Sequence, residues 1–94
     1  MLESGEDSDL RSAVIEVDKL MDFALKSARF RGNRFADRIR AARNFYPKKV
    51  YSGIWEAHIL RNELVHNIDS KINSYQVKDA VKKVGAGLKA VKGL

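Results

Sequence analysis

The stretch Ile54 to Asn67, IWEAHILRNELVHN, most limits what this chain can fold into. Place His58 at zero and advance about 100° per residue. Leu60, Leu64, Ala57 and Ile68 then fall on one side, between about 200° and 280°. Ile54, Trp55, Ile59 and Val65 fall on the other. A helix that is apolar nearly all round is normally buried. In a bundle of short helices one face meets the core, and a second apolar face needs another partner. A second copy of the chain fits that need, with Ile54, Trp55, Ile59 and Val65 as the expected dimer interface.

The other segments read as helices too. The chain has 94 residues, enough for one domain. Residues 1–8 read as a flexible acidic lead-in, and 9–94 as a single helical domain. A first helix is expected from Ser8 or Asp9, with Leu10, Val14, Val17, Met21, Ala24 and Ala28 on its inner face. The run Arg31-Gly32-Asn33 breaks that pattern. Phe35, Ile39 and Ala42 mark a short second helix that ends before Pro47, the one proline. The third helix is expected from about Val50 to Asn67. Ser74 is placed to cap a fourth, whose stripe is Val77, Val81, Val84, Leu88 and Val91. Lys78, Lys82, Lys89 and Lys92 occupy its opposite face. Gly85 and Gly87 each weaken it by about 1 kcal/mol relative to Ala. No strand alternation is present. Four helices with short connections predict an all-α, antiparallel up-and-down four-helix bundle.

The third helix also carries His58, Arg61, Asn62 and His66, in a band about 140° wide. A buried Arg or His has to be paired, or has to line a cleft that admits water or ligand. A histidine titrates near neutrality and can give or take a proton. Arg stays charged, and its fork of donors matches phosphate oxygens. Asn62 is one turn from both histidines and can orient either. RNA carries its own nucleophile, the 2′-hydroxyl, so a protein that cleaves it needs only acid–base groups and charge stabilisation. No metal or other cofactor is expected, because the carboxylates are scattered: Glu56 and Glu63 stand seven residues apart. A structural reading stands beside this one, in which Arg61 makes a packing salt bridge to an acid of the first helix.

Charge points the same way. Residues 1–22 hold seven acids and two bases, whereas 23–94 hold sixteen bases and five acids. A basic body favours polyanionic partners, and the reading beside it is that the charge serves solubility alone. His58, Arg43, Lys48 and Lys49 are the expected substrate-binding residues. The chain has no cysteine, which excludes disulfides and thiolate metal sites. It has no apolar run near 18 residues and no secretory leader pattern, so no membrane insertion is expected and the cytoplasm is the default location.

The segment Trp55-x-x-His58-x-x-Arg61-Asn62-x-x-x-His66 resembles the signature helix of the HEPN superfamily (higher eukaryotes and prokaryotes nucleotide-binding domains). That motif is Arg, a polar residue, then His after a gap of four to six residues. The resemblance covers about residues 10 to 92 and includes the context, a penultimate helix followed by a last amphipathic one. It implies a helical bundle that dimerises, with the motifs of two protomers forming one metal-independent ribonuclease site. Arg61 and His66 would then be catalytic, and Asn62 supporting. The resemblance also implies either toxin–antitoxin use beside a nucleotidyltransferase-type antitoxin or a non-cleaving accessory role. Three readings follow: a dimeric endoribonuclease, a module that binds RNA or a nucleotide, and an interaction domain whose polar groups lock a dimer.

Overall fold

A computed structural model describes residues 2–67 and 71–92, with side chains from Ser8 onward. Among the described residues four helices pack together: α1 (Leu2–Ser27), α2 (Phe35–Ala41), α3 (Lys48–His66) and α4 (Ser74–Lys92). Helix α4 packs on both α1 and α3, α1 also packs on α3, and α2 packs on α1. No strand occurs among the described residues. Among the described residues no helix is long and apolar enough to cross a membrane.

Two apolar clusters give the helix directions. Val14 of α1 meets Leu64 of α3 and Val77 of α4 at one end. Met21 and Leu25 meet Ile54, Val84 and Val91 at the other. Chain order therefore runs up in α1, down in α3 and up in α4. Phe35, Ile39, Ala42 and Tyr46 close the second cluster. The α2 segment thus seals one end of a bundle made by the three long helices.

Local sequence explains the boundaries. The α1 backbone is helical from Leu2, not from the expected start near Ser8 or Asp9. A helix N-terminus tolerates an acid-rich sequence such as this one, because its free N–H groups favour negative charge. The helix ends in a reversed turn: Phe30 N–H donates to Leu25 O (3.1 Å) and Arg29 N–H to Lys26 O (3.0 Å). Arg29 adopts φ 69° there, a place where glycine is the usual residue. Gly32 follows at φ 146°, and a Cβ on it would sit 2.4 Å from the Asp37 Cβ. Only glycine fits that point of the turn. Asn73, not Ser74, caps α4. Its Oδ1 accepts from Gln76 N–H (2.8 Å), and its own N–H donates to Gln76 Oε1 (3.0 Å), a reciprocal capping box.

Two expected faces need correction. Ile54 is 1% exposed and belongs to the core, so it is no part of a free dimer face. Its side chain presses on Gly87, where a Cβ would meet Ile54 Cδ1 at 2.6 Å. Trp55 is half-buried against the same cluster, with the Arg40 guanidinium 5.5 Å above its ring. Ile59 and Val65 are exposed. Helix α3 therefore buries one broad arc, from Leu60 through Ala57 and Ile54 round to His58, rather than two separate apolar faces. On α4, Val81 is exposed and leaves the stripe, while Ala80 and Gly87 join it. Ile68 lies outside the described residues.

Candidate functional site

Helix α1 buries Val14, Asp18, Met21 and Leu25, spaced 4, 3 and 4 residues apart on one stripe. A carboxylate therefore sits in the middle of an apolar face, at 6% exposure. A buried charge of this kind has to be paired. Helix α3 supplies the partners from the same arc that packs on α1. His58 Nδ1 lies 2.9 Å from Asp18 Oδ1. Arg61 Nε lies 3.6 Å from Asp18 Oδ2. Arg61 Nη1 donates to Asn62 Oδ1 at 2.8 Å, and Asn62 Nδ2 meets His58 Nε2 at 3.3 Å. Asp18, His58, Asn62 and Arg61 thus form a polar ring between two helices, its Arg61–Asp18 side an ion pair rather than a hydrogen bond. The ring has one gap: Arg61 Nε is buried and lacks a hydrogen-bond partner.

Proton placement follows from the donors. Guanidinium only donates, so the Asn62 carbonyl must face Arg61 and its amide N–H₂ must face His58. His58 Nε2 is then an acceptor, and Nδ1–H donates to Asp18. Phe35 stacks flat on the imidazole, centroids 4.2 Å apart and planes 9° apart, which fixes the ring.

One helical turn on, Asp22 binds Arg38 through two parallel contacts, Nε to Oδ1 at 2.7 Å and Nη2 to Oδ2 at 3.3 Å. Arg38 Nη1 donates to Gly32 O at 2.6 Å, which ties the Gly32 turn to α2. The hydrogen bond to Asp22 raises the Arg38 pKa above its ordinary value.

These groups line one cleft of about 540 Å³ between α1, α2 and α3. Lys19, Asn33 and Arg34 stand on its walls beside Asp18, His58, Arg61 and Asn62. Arg61, Asn62 and His58 are therefore brought together as the sequence suggests. His66 is not among them. It is exposed, ends α3, and lies about 140° round the helix from Arg61. Arg43, Lys48 and Lys49 are exposed and do not line the cleft. Lys49 instead borders a hollow between α3 and α4, near Lys82 and Lys83. Lys83 there is held between Glu56 (2.6 Å) and Asp79 (2.7 Å), whose hydrogen bonds, Asp79's foremost, raise its pKa. Among the described residues no three His, Asp or Glu side chains gather to hold a metal ion.

Sequence reading missed Asp18, Asp22, Lys19, Arg34 and Arg38. The signal for Asp18 was available: it falls four residues after Val14 and three before Met21, inside the stripe. The packing reading of Arg61 required an acid on the first helix, and Asp18 is that acid. No family model matches the chain, and no curated protein or solved structure similar to it was found.

Proposed function

We propose that the chain is a metal-independent endoribonuclease domain of HEPN type that acts as a homodimer. The observation that carries this reading is Arg61. Its guanidinium is held beside an imidazole on the wall of an open cleft that Lys19 and Arg34 also line. Such a wall suits a phosphodiester: guanidinium and ammonium groups neutralise non-bridging oxygens. In the reaction, the 2′-oxygen attacks phosphorus and loses its proton, and the P–O5′ bond breaks. The 5′-oxygen takes up a proton, leaving a 2′,3′-cyclic phosphate and a 5′-hydroxyl. Arg61 stabilises the charge that develops on phosphorus oxygens. His66, exposed at the end of α3, donates the proton to the leaving oxygen from a second copy.

A second reading is favoured by the Asp18–Arg61 contact (3.6 Å), which engages Arg61 within its own chain. There the same cleft binds RNA without cleaving it, or the ring only fixes α1 against α3.

The test is cleavage of a labelled single-stranded RNA in EDTA by wild type, Arg61→Ala and His66→Ala. The endoribonuclease reading predicts a loss of at least about 10²-fold in each variant. Equal background cleavage by all three would overturn it. RNA binding that persists without cleavage, and weakens with salt, would select the binding module.

A further inference from the structure

We infer that His58 is the second proton-transfer residue of this same site, the base that takes the 2′-hydroxyl proton, and that Asp18 is its positioning residue. The inference rests on the ribonuclease reading above and goes beyond it. Cleavage needs two proton transfers, one from the 2′-hydroxyl and one to the 5′-oxygen, and Arg61 performs neither.

Four observations converge on His58. Its Nδ1 is bound to the buried Asp18 carboxylate at 2.9 Å, the arrangement that stabilises an imidazole while its other nitrogen gains a proton. Nε2 is an acceptor, because Arg61 dictates how the Asn62 amide points. The contact that covers Nε2 is long, 3.3 Å, so an incoming hydroxyl displaces little. Phe35 holds the ring plane, and the imidazole lines the cleft together with Arg61. His58 and Arg61 are three residues apart on one helix, so base and charge stabiliser travel together in a single protomer.

The step balances. The 2′-hydroxyl proton moves to His58 Nε2 as the O2′–P bond forms, giving an imidazolium beside the Asp18 carboxylate. The P–O5′ electron pair leaves with oxygen, which is protonated separately. Solvent removes the Nε2 proton after product departs.

The chain holds two histidines, so ¹⁵N-histidine labelling reports both without ambiguity. The probe is a short single-stranded RNA with every 2′-hydroxyl methylated, which binds but cannot react. The expected result is a His58 ring with Nδ1 protonated and Nε2 bare, whose Nε2 resonance shifts when the probe is added. His58→Gln should lower cleavage of unmodified RNA by about 10²-fold or more, far more than it weakens binding of the probe. Asp18→Asn should lower kcat by at least about 10-fold at unchanged KM, with the helical circular dichroism of wild type. A protonated Nε2 in the free protein overturns the inference. So does a probe that binds and shifts His66 alone, with cleavage surviving in His58→Gln and Asp18→Asn; that result leaves the ribonuclease reading standing. A probe that shifts neither histidine, with no cleavage by wild type, overturns both.

Discussion

Asp18 and Asp22 stand one turn apart on α1 and face the same cleft, yet their environments differ. Asp22 meets an arginine fork in two parallel contacts, and the third arm of that fork goes to Gly32 O. Every donor of that pair aimed inward has an acceptor, so the pair fastens α2 and its turn to α1. Asp18 is more deeply buried and less well served. Its nearest arginine is 3.6 Å away, with Nε unsatisfied, and its short contact goes to a histidine. A satisfied charge pair makes structure. The looser pair sets a histidine and an arginine together on the cleft wall, where a proton-exchanging group stands beside a fixed positive charge.

That contrast holds only if the packed frame beneath both carboxylates is tight, and α4 tests the frame. Gly87→Ala would drive a methyl into Ile54 and Met21, at 2.6 and 3.2 Å. Overpacking of this kind costs about 1–3 kcal/mol, measurable as a lower urea midpoint with an unchanged slope. Tyr46 gives a smaller effect that depends on pH. Its hydroxyl donates to Gly87 O at 3.0 Å, and burial pushes its pKa from 10.0 up to about 12. The folded-state value is raised, so its stabilisation is complete below pH 10 and is lost as pH climbs toward 12. Tm should fall across that window, and Tyr46→Phe should flatten part of the fall; Lys83, also raised, supplies some of the rest. Gly85→Ala is the smallest change. A Cβ there meets nothing within 4 Å, so it should stabilise the helix by up to about 1 kcal/mol. A stabilising Gly87→Ala would mean a loose frame and would remove the basis for comparing the carboxylates.

The helices were legible because apolar residues recur at three and four positions, and that spacing survives to α1, α3 and α4. Helix geometry alone groups His58, Arg61 and Asn62, but it also puts His66 in the same band, and His66 does not line the cleft. What they face was not legible. Whether Arg61 at about 300° meets solvent, a second copy or α1 depends on how helices pack, which no single-helix angle contains. Assigning Ile54 and Arg61 to a separate face split an arc that α1 and α4 cover together. Asp18 is masked in the sequence because Val17, its neighbour, fits a nearly equivalent stripe and is apolar. Arg38 depends on the Gly32 turn, whose positive φ brings a carbonyl into reach of the guanidinium.

The most direct measurement sets Asp18→Asn against Asp22→Asn, each scored for thermal stability and for RNA cleavage per folded molecule. Asp22→Asn should lower Tm, because it breaks the charged fork, and leave the cleavage rate of the folded fraction near wild type. Asp18→Asn should lower cleavage per folded molecule by at least about 10-fold, well beyond what any fall in its Tm accounts for. Cleavage that follows Tm in both variants would contradict the account, since both carboxylates would then be fastenings of the same kind.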